Sequence, residues 1–110
     1  MKTLVCLICA FVCIGALRGQ TAGEEIATKI AQRMKDSLQL TDSQQVQIYQ
    51  INIQLNQQKI GMRNQYSGTD SLRIKIQQVE NTRDPFYLTI LSEEQYYLYR
   101  QKKRNLVNNN

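Results

Sequence analysis

The chain has 110 residues, 14 Lys plus Arg against 9 Asp plus Glu, no His, and three Cys that all fall within the first 13 positions. Beyond those positions it offers no thiolate nucleophile, no imidazole base and few transition-metal ligands, so the commonest catalytic and metal-centre chemistries are excluded. Its length fits one domain with a modest core.

Lys2 opens the chain, and Thr3 to Leu17 carries no charge before Arg18. That stretch is too short, and too abruptly followed by polar sequence, for a good membrane span. It reads as a secretory signal peptide over residues 1–19, with cleavage after Gly19 or, alternatively, near Ala22 or Gly23. Lipidation is disfavoured, because Cys6, Cys9 and Cys13 follow Val5, Ile8 and Val12 rather than small residues. Removing Lys2 and Arg18 lowers the net charge from +5 to +3. It also removes every cysteine, leaving an exported domain, residues 20–110, without disulfides.

The first helix is expected from about Gly23 to Leu38. Thr21 to Glu24 reads as a capping box, and Ile26, Ile30, Met34 and Leu38 recur on one face beside Ala27 and Ala31. Gln39 and Leu40 form the connection. The second helix starts at Thr41 and runs to about Tyr66, with two apolar series: Ile48, Ile51 and Leu55, and Val46, Tyr49 and Ile53. Alternation from Ile48 to Leu55 would by itself read as a strand; length, the Thr41 cap and Gln-rich flanks decide for helix. Ser67 to Asp70 is the clearest break, with Gly68 suited to a left-handed turn and Thr69 or Asp70 to a cap. A third helix carries Leu72, Ile76 and Val79. At Asp84-Pro85 it either restarts or kinks, and continuation would bring Phe86 and Ile90 onto the same face. The fourth runs from Ser92 to about Asn105, followed by a tail that frays from Leu106. The class is all-α, a small bundle of about four helices in two hairpins, with dimerisation as a means of covering leftover apolar surface.

Catalytic constellations are missing. Glu24-Glu25 and Glu93-Glu94 each fall in a first helical turn, where the macrodipole accounts for them. The five glycines are scattered, so no phosphate loop forms. Met34 and Met62 read as packing residues. The chain is therefore expected to be no enzyme and to need no cofactor or metal.

Its most informative feature is a repeat: Leu40-Thr41-Asp42-Ser43-Gln44 returns as Leu91-Ser92-Glu93-Glu94-Gln95. In each unit the hydroxyl of Thr41 or Ser92 suits a helix N-cap. Gln44 or Gln95, three residues on, suits the return bond of a capping box, and Leu40 or Leu91 anchors the corner. These units resemble the LTxxQ signature of the Spy/CpxP-like family of bacterial periplasmic stress proteins. The match is direct at Leu40, Thr41 and Gln44; Ser92 replaces the threonine in the second unit.

The resemblance implies export to the periplasm and antiparallel dimers of helical hairpins. It also implies ATP-independent binding of unfolded envelope proteins or inhibition of a sensor partner. The metal-sensing branch depends on His and Met ligands, so that activity is not carried over. The six motif residues would fix hairpin geometry. A client surface would pair apolar patches with positive charge: Ile48, Ile51, Ile53 and Leu55 with Lys59 and Arg63, and Tyr96, Tyr97 and Tyr99 with Arg100 and Lys103. The same residues would alternatively form the core or a dimer seam. A different class of function is a structural or regulatory subunit docking on one specific envelope partner by helix pairing. The cluster from Arg100 to Arg104 suits a helix C-terminus, and weak contact with an anionic membrane surface is its other reading. Nucleic acid is not an expected partner of an exported chain.

Overall fold

The computed structural model describes residues 22–108. The expected signal peptide, the three cysteines and the Thr21 cap lie outside these residues. Helix α1 covers residues 22–38. It is followed by α2 (Asp42–Tyr66), α3 (Leu72–Glu80), α4 (Arg83–Leu88) and α5 (Glu93–Lys103), and a wide π-helical turn, Arg104–Asn108, closes the path. No strand occurs among the described residues, and the protein is all-α.

Ala27, Ile30, Ala31, Met34 and Leu38 are buried along α1, but Ile26 is 43% exposed. The inward face is thus centred on the alanines, which let α2 approach, and the expected place of Ile26 on it is corrected. Helix α1 ends where Gln39 turns left-handed at φ 55° and the Leu40 N–H reaches back to the Lys35 carbonyl at 3.3 Å. Lys35 Nζ also meets the Asp42 carboxylate across this corner at 2.5 Å. Along α2 the buried residues are Ile48, Asn52 and Leu55. The Ile48, Ile51 and Leu55 series therefore lies nearer the core than that of Val46, Tyr49 and Ile53, in which Val46 is exposed and the other two are half-buried.

Gly68 takes a left-handed φ of 76°, as the break requires. Neither Thr69 nor Asp70 caps α3. Its N-cap is Ser71, without a side-chain bond, while the Thr69 hydroxyl donates back to the Tyr66 carbonyl at 2.7 Å. The third expected helix is divided at Asn81-Thr82 and restarts at Arg83. Pro85 is the third residue of α4, inside the first turn, where no N–H is needed. Tyr87 rather than Phe86 enters the core, because the division rotates the face that α3 had set up.

The main core gathers Ile30, Met34, Leu38 and Leu40 with Ile48, Tyr87, Leu91 and Tyr99. Tyr87 and Tyr99 meet edge to face with centroids 5.0 Å apart, a favoured aromatic geometry. Leu106 and Val107 are buried here too. The expectation of fraying from Leu106 is corrected: the π-helical turn widens the last turn so that both apolar side chains face inward. Arg33 Nη1 holds that turn from α1 by donating to the Leu106 carbonyl at 3.5 Å. Beyond Leu55, by contrast, α2 buries no residue, and α3 buries only Val79. The distal α2–α3 hairpin projects as a thinly packed arm.

Candidate functional site

Both pentapeptides form complete capping boxes. The Gln44 N–H donates to Thr41 Oγ1 at 3.1 Å, and the Thr41 N–H donates to Gln44 Oε1 at 3.0 Å. At the second corner the Gln95 N–H donates to Ser92 Oγ at 3.1 Å and the Ser92 N–H to Gln95 Oε1 at 2.9 Å. Leu40 and Leu91 are buried, as anchors should be.

The two boxes are also joined. Gln44 Nε2 donates to Gln95 Oε1 at 2.8 Å, and Gln95 Nε2 returns a bond to Gln44 Oε1 at 3.2 Å. Gln44 Nε2 further reaches the Ile90 carbonyl at 3.1 Å, and Gln95 Nε2 the Leu38 carbonyl at 3.4 Å. Each glutamine therefore caps its own helix and crosslinks to the chain that leads into the other. A reciprocal amide clasp ties the starts of α2 and α5.

A second polar system lies within the bundle. Arg83 is 4% exposed. Its Nε bonds Glu80 Oε2 at 2.5 Å and its Nη2 bonds Glu80 Oε1 at 3.1 Å. Nη1 donates to Asn52 Oδ1 at 2.9 Å and to the Tyr87 hydroxyl at 2.7 Å. Tyr87 in turn donates to Asn52 Oδ1, and Asn52 Nδ2 donates to the Ala27 carbonyl at 3.2 Å. Lys59 Nζ completes the group, 2.5 Å from Glu80 Oε1. Burial pushes the Glu80 carboxyl up, but the bonds and charges of Arg83 and Lys59 outweigh it and hold the group below its ordinary range. Burial pushes the Tyr87 hydroxyl up to about 12. Sequence reading missed this cluster because Asn52 falls on an apolar stripe and Arg83 lies two residues before Pro85, at an expected helix break; nothing local marks either as buried.

Asp84, in the first turn of α4, organises a third system. Its carboxylate accepts from the Tyr99 hydroxyl at 2.8 Å and pairs with Lys103 at 3.1 Å and with Arg100. Burial raises its pKa, while Tyr99 and Lys103 lead the interactions that bring it below the usual carboxylate value.

These contacts sort the sequence-derived surface residues. Ile48, Leu55 and Tyr99 are fully buried, which corrects their placement on a client surface: they are core. Ile51, Ile53 and Tyr96 are half-buried, while Arg63 and Tyr97 are exposed. Lys59 pairs with Glu80, and Arg100 and Lys103 pair with Asp84. Two apolar residues not singled out from the sequence, Ile74 at 59% and Leu88 at 55%, are more exposed than any aliphatic residue that was.

A cleft of about 280 Å³ opens between α1, the middle of α2 and the α3–α4 junction. Ile26, Ala27 and Ile30 line one side, and Asn52, Asn56, Lys59, Glu80 and Arg83 the other. A β-carbon at Gly23 would lie 2.1 Å from Asn56 Nδ2, so this glycine lets the Asn56 amide sit against α1. Among the described residues no three His, Cys, Asp or Glu side chains gather as metal ligands. No described helix is long and apolar enough to cross a membrane. No protein-family model, curated protein or solved structure matches the chain.

Proposed function

We propose that the chain is an exported helical binding protein with ATP-independent chaperone-like or stress-adaptor activity toward envelope proteins. The observation that carries this reading is the Gln44–Gln95 clasp. The two LTxxQ-like units of the resemblance are not separate helix starts that share a pattern; they are joined as one corner assembly. Such an assembly would fix the angle from which the α2–α3 arm projects. Binding would use apolar side chains left in solvent, Ile60 and Ile74 on the arm and Leu88 and Tyr97 near α5. Their neighbours Arg63 and Arg73 would add a weak, salt-sensitive attraction to acidic segments of a client. Weak contact with an anionic membrane surface would fall to Lys102 and Arg104, since Asp84 engages the other two cations of the tail.

Light scattering of a reduced, aggregating client tests the proposal. Dose-dependent suppression by the purified protein is the expected outcome, and none at stoichiometric excess overturns the chaperone-like version. A second reading, a subunit docking on one envelope partner, is favoured by the arm itself: Ile60 and Ile74 lie on consecutive helices of one hairpin, as a helix-pairing surface requires. One stoichiometric partner recovered by cross-linking, with no affinity for unfolded clients, would support that reading instead. A homodimer built on the same surface would appear as a doubled mass in sedimentation.

A further inference from the structure

We propose that the cleft between α1, α2 and the α3–α4 junction binds a small carboxylate that carries a short apolar group. The first argument is charge. Lys59 and Arg83 face a single carboxylate, Glu80, which leaves one positive charge in excess at a partly buried site. Such a charge is costly when unmatched, and its field is focused by low-dielectric walls. The second argument is hydrogen-bonding capacity. Every donor group of Arg83 is engaged with Glu80, Asn52 or Tyr87. Lys59 Nζ makes one described bond, to Glu80, and an ammonium has three donors. The Asn56 side-chain amide has no hydrogen-bond partner among the described residues and lines the same cleft. A carboxylate seated at Lys59 and Asn56 would use these donors and cancel the excess charge without disturbing the buried Arg83.

The opposite wall sets the rest of the ligand. The side chains of Ile26, Ala27 and Ile30 line it; Ala27 and Ile30 are almost fully buried, so the exposed apolar surface is that of Ile26. An apolar group there would cover it. The cleft lies just below the roughly 300–1,000 Å³ of sites for drug-sized molecules, so the ligand is small. A peptide C-terminus with an aliphatic last residue and a free short-chain aliphatic acid share this chemistry. The site stands apart from the chaperone-like reading, because carboxylate binding and aggregation suppression are separate readouts.

The test is amide-shift titration of the purified, isotope-labelled protein with two matched pairs: N-acetyl-leucine against N-acetyl-leucinamide, and hexanoate against hexanol. Each acid is expected to shift residues around Asn56, Lys59 and Glu80 saturably, and to bind about tenfold more tightly than its neutral partner, the factor expected of a charge-assisted hydrogen bond. Lys59→Gln should erase the preference for the acid while circular dichroism shows the helices intact. Asn56→Leu, which leaves both ion pairs in place, should weaken the acids and is the second variant should Lys59→Gln unfold. Tighter N-acetyl-leucine assigns the peptide terminus, and tighter hexanoate the free acid. Equal binding of acid and neutral partner, or shifts confined to other parts of the molecule, would overturn the proposal.

Discussion

Gln44 and Gln95 each use one amide for two tasks. The oxygen takes the cap residue's N–H and the other glutamine's amide, while the nitrogen reaches a carbonyl across the corner. Replacing Thr41 or Ser92 with Ala should cost about 0.5–2 kcal/mol each in urea unfolding. Gln44→Ala and Gln95→Ala should be non-additive, with a coupling of about 0.5–3 kcal/mol in a double-mutant cycle; additive losses would mean that the clasp carries no energy. The boxes were legible in the sequence because a cap and its glutamine lie three residues apart, and local bonds leave local patterns. The clasp was not, since no local rule states which distant amide a spare donor will meet.

At the scale of elements, the division between α3 and α4 decides what reaches the interior. Pro85 announced a discontinuity, but the break falls earlier, at Asn81-Thr82. It turns Arg83 and Tyr87 inward, where Asn52 of α2 receives both. Periodicity located α1 and α2 well because their faces continue over several turns. It failed at α4, a helix of 6 residues that is too short to show a period. Glu80 is the sole carboxylate of this cluster, so Glu80→Ala should destabilise by about 3 kcal/mol, the lower end for a broken buried pair because Glu80 keeps one side in solvent. Glu80→Gln should cost less, because its amide oxygen can still accept from one end of the cluster, although its NH2 end accepts nothing and the charge is lost. Equal midpoints for wild type and Glu80→Ala in urea would show that Arg83 does not depend on it.

For the whole molecule, titration and surface give separate predictions. Glu80 and Asp84 are held below their ordinary values when folded, so the unfolded chain takes up protons first as pH falls. Their stabilisation is complete above about pH 4.5 and is lost as pH falls further toward the folded values. Tyr87 is shifted the other way, up to about 12, so its contribution is complete below about pH 10 and is lost as pH rises through the folded value. Thermal midpoints should therefore form a plateau with both an acid and an alkaline shoulder. Ile60→Ser with Ile74→Ser should weaken client binding in the scattering assay while costing about 0.5 kcal/mol at Ile74 and about 1 kcal/mol at Ile60, which is the more buried of the two. The clasp also has a kinetic consequence. The two bonds of the Thr41–Gln44 capping box close a loop of three residues and can form as soon as α2 nucleates, whereas the Gln44–Gln95 amide bonds wait for a segment about half the chain away, at the entropic cost of that closure. Stopped-flow refolding should then be slowed by Thr41→Ala, which removes a local bond alone, whereas Gln44→Ala, which removes local and distant bonds together, should also speed unfolding. The order in which the corner assembles is set by which of its bonds are local.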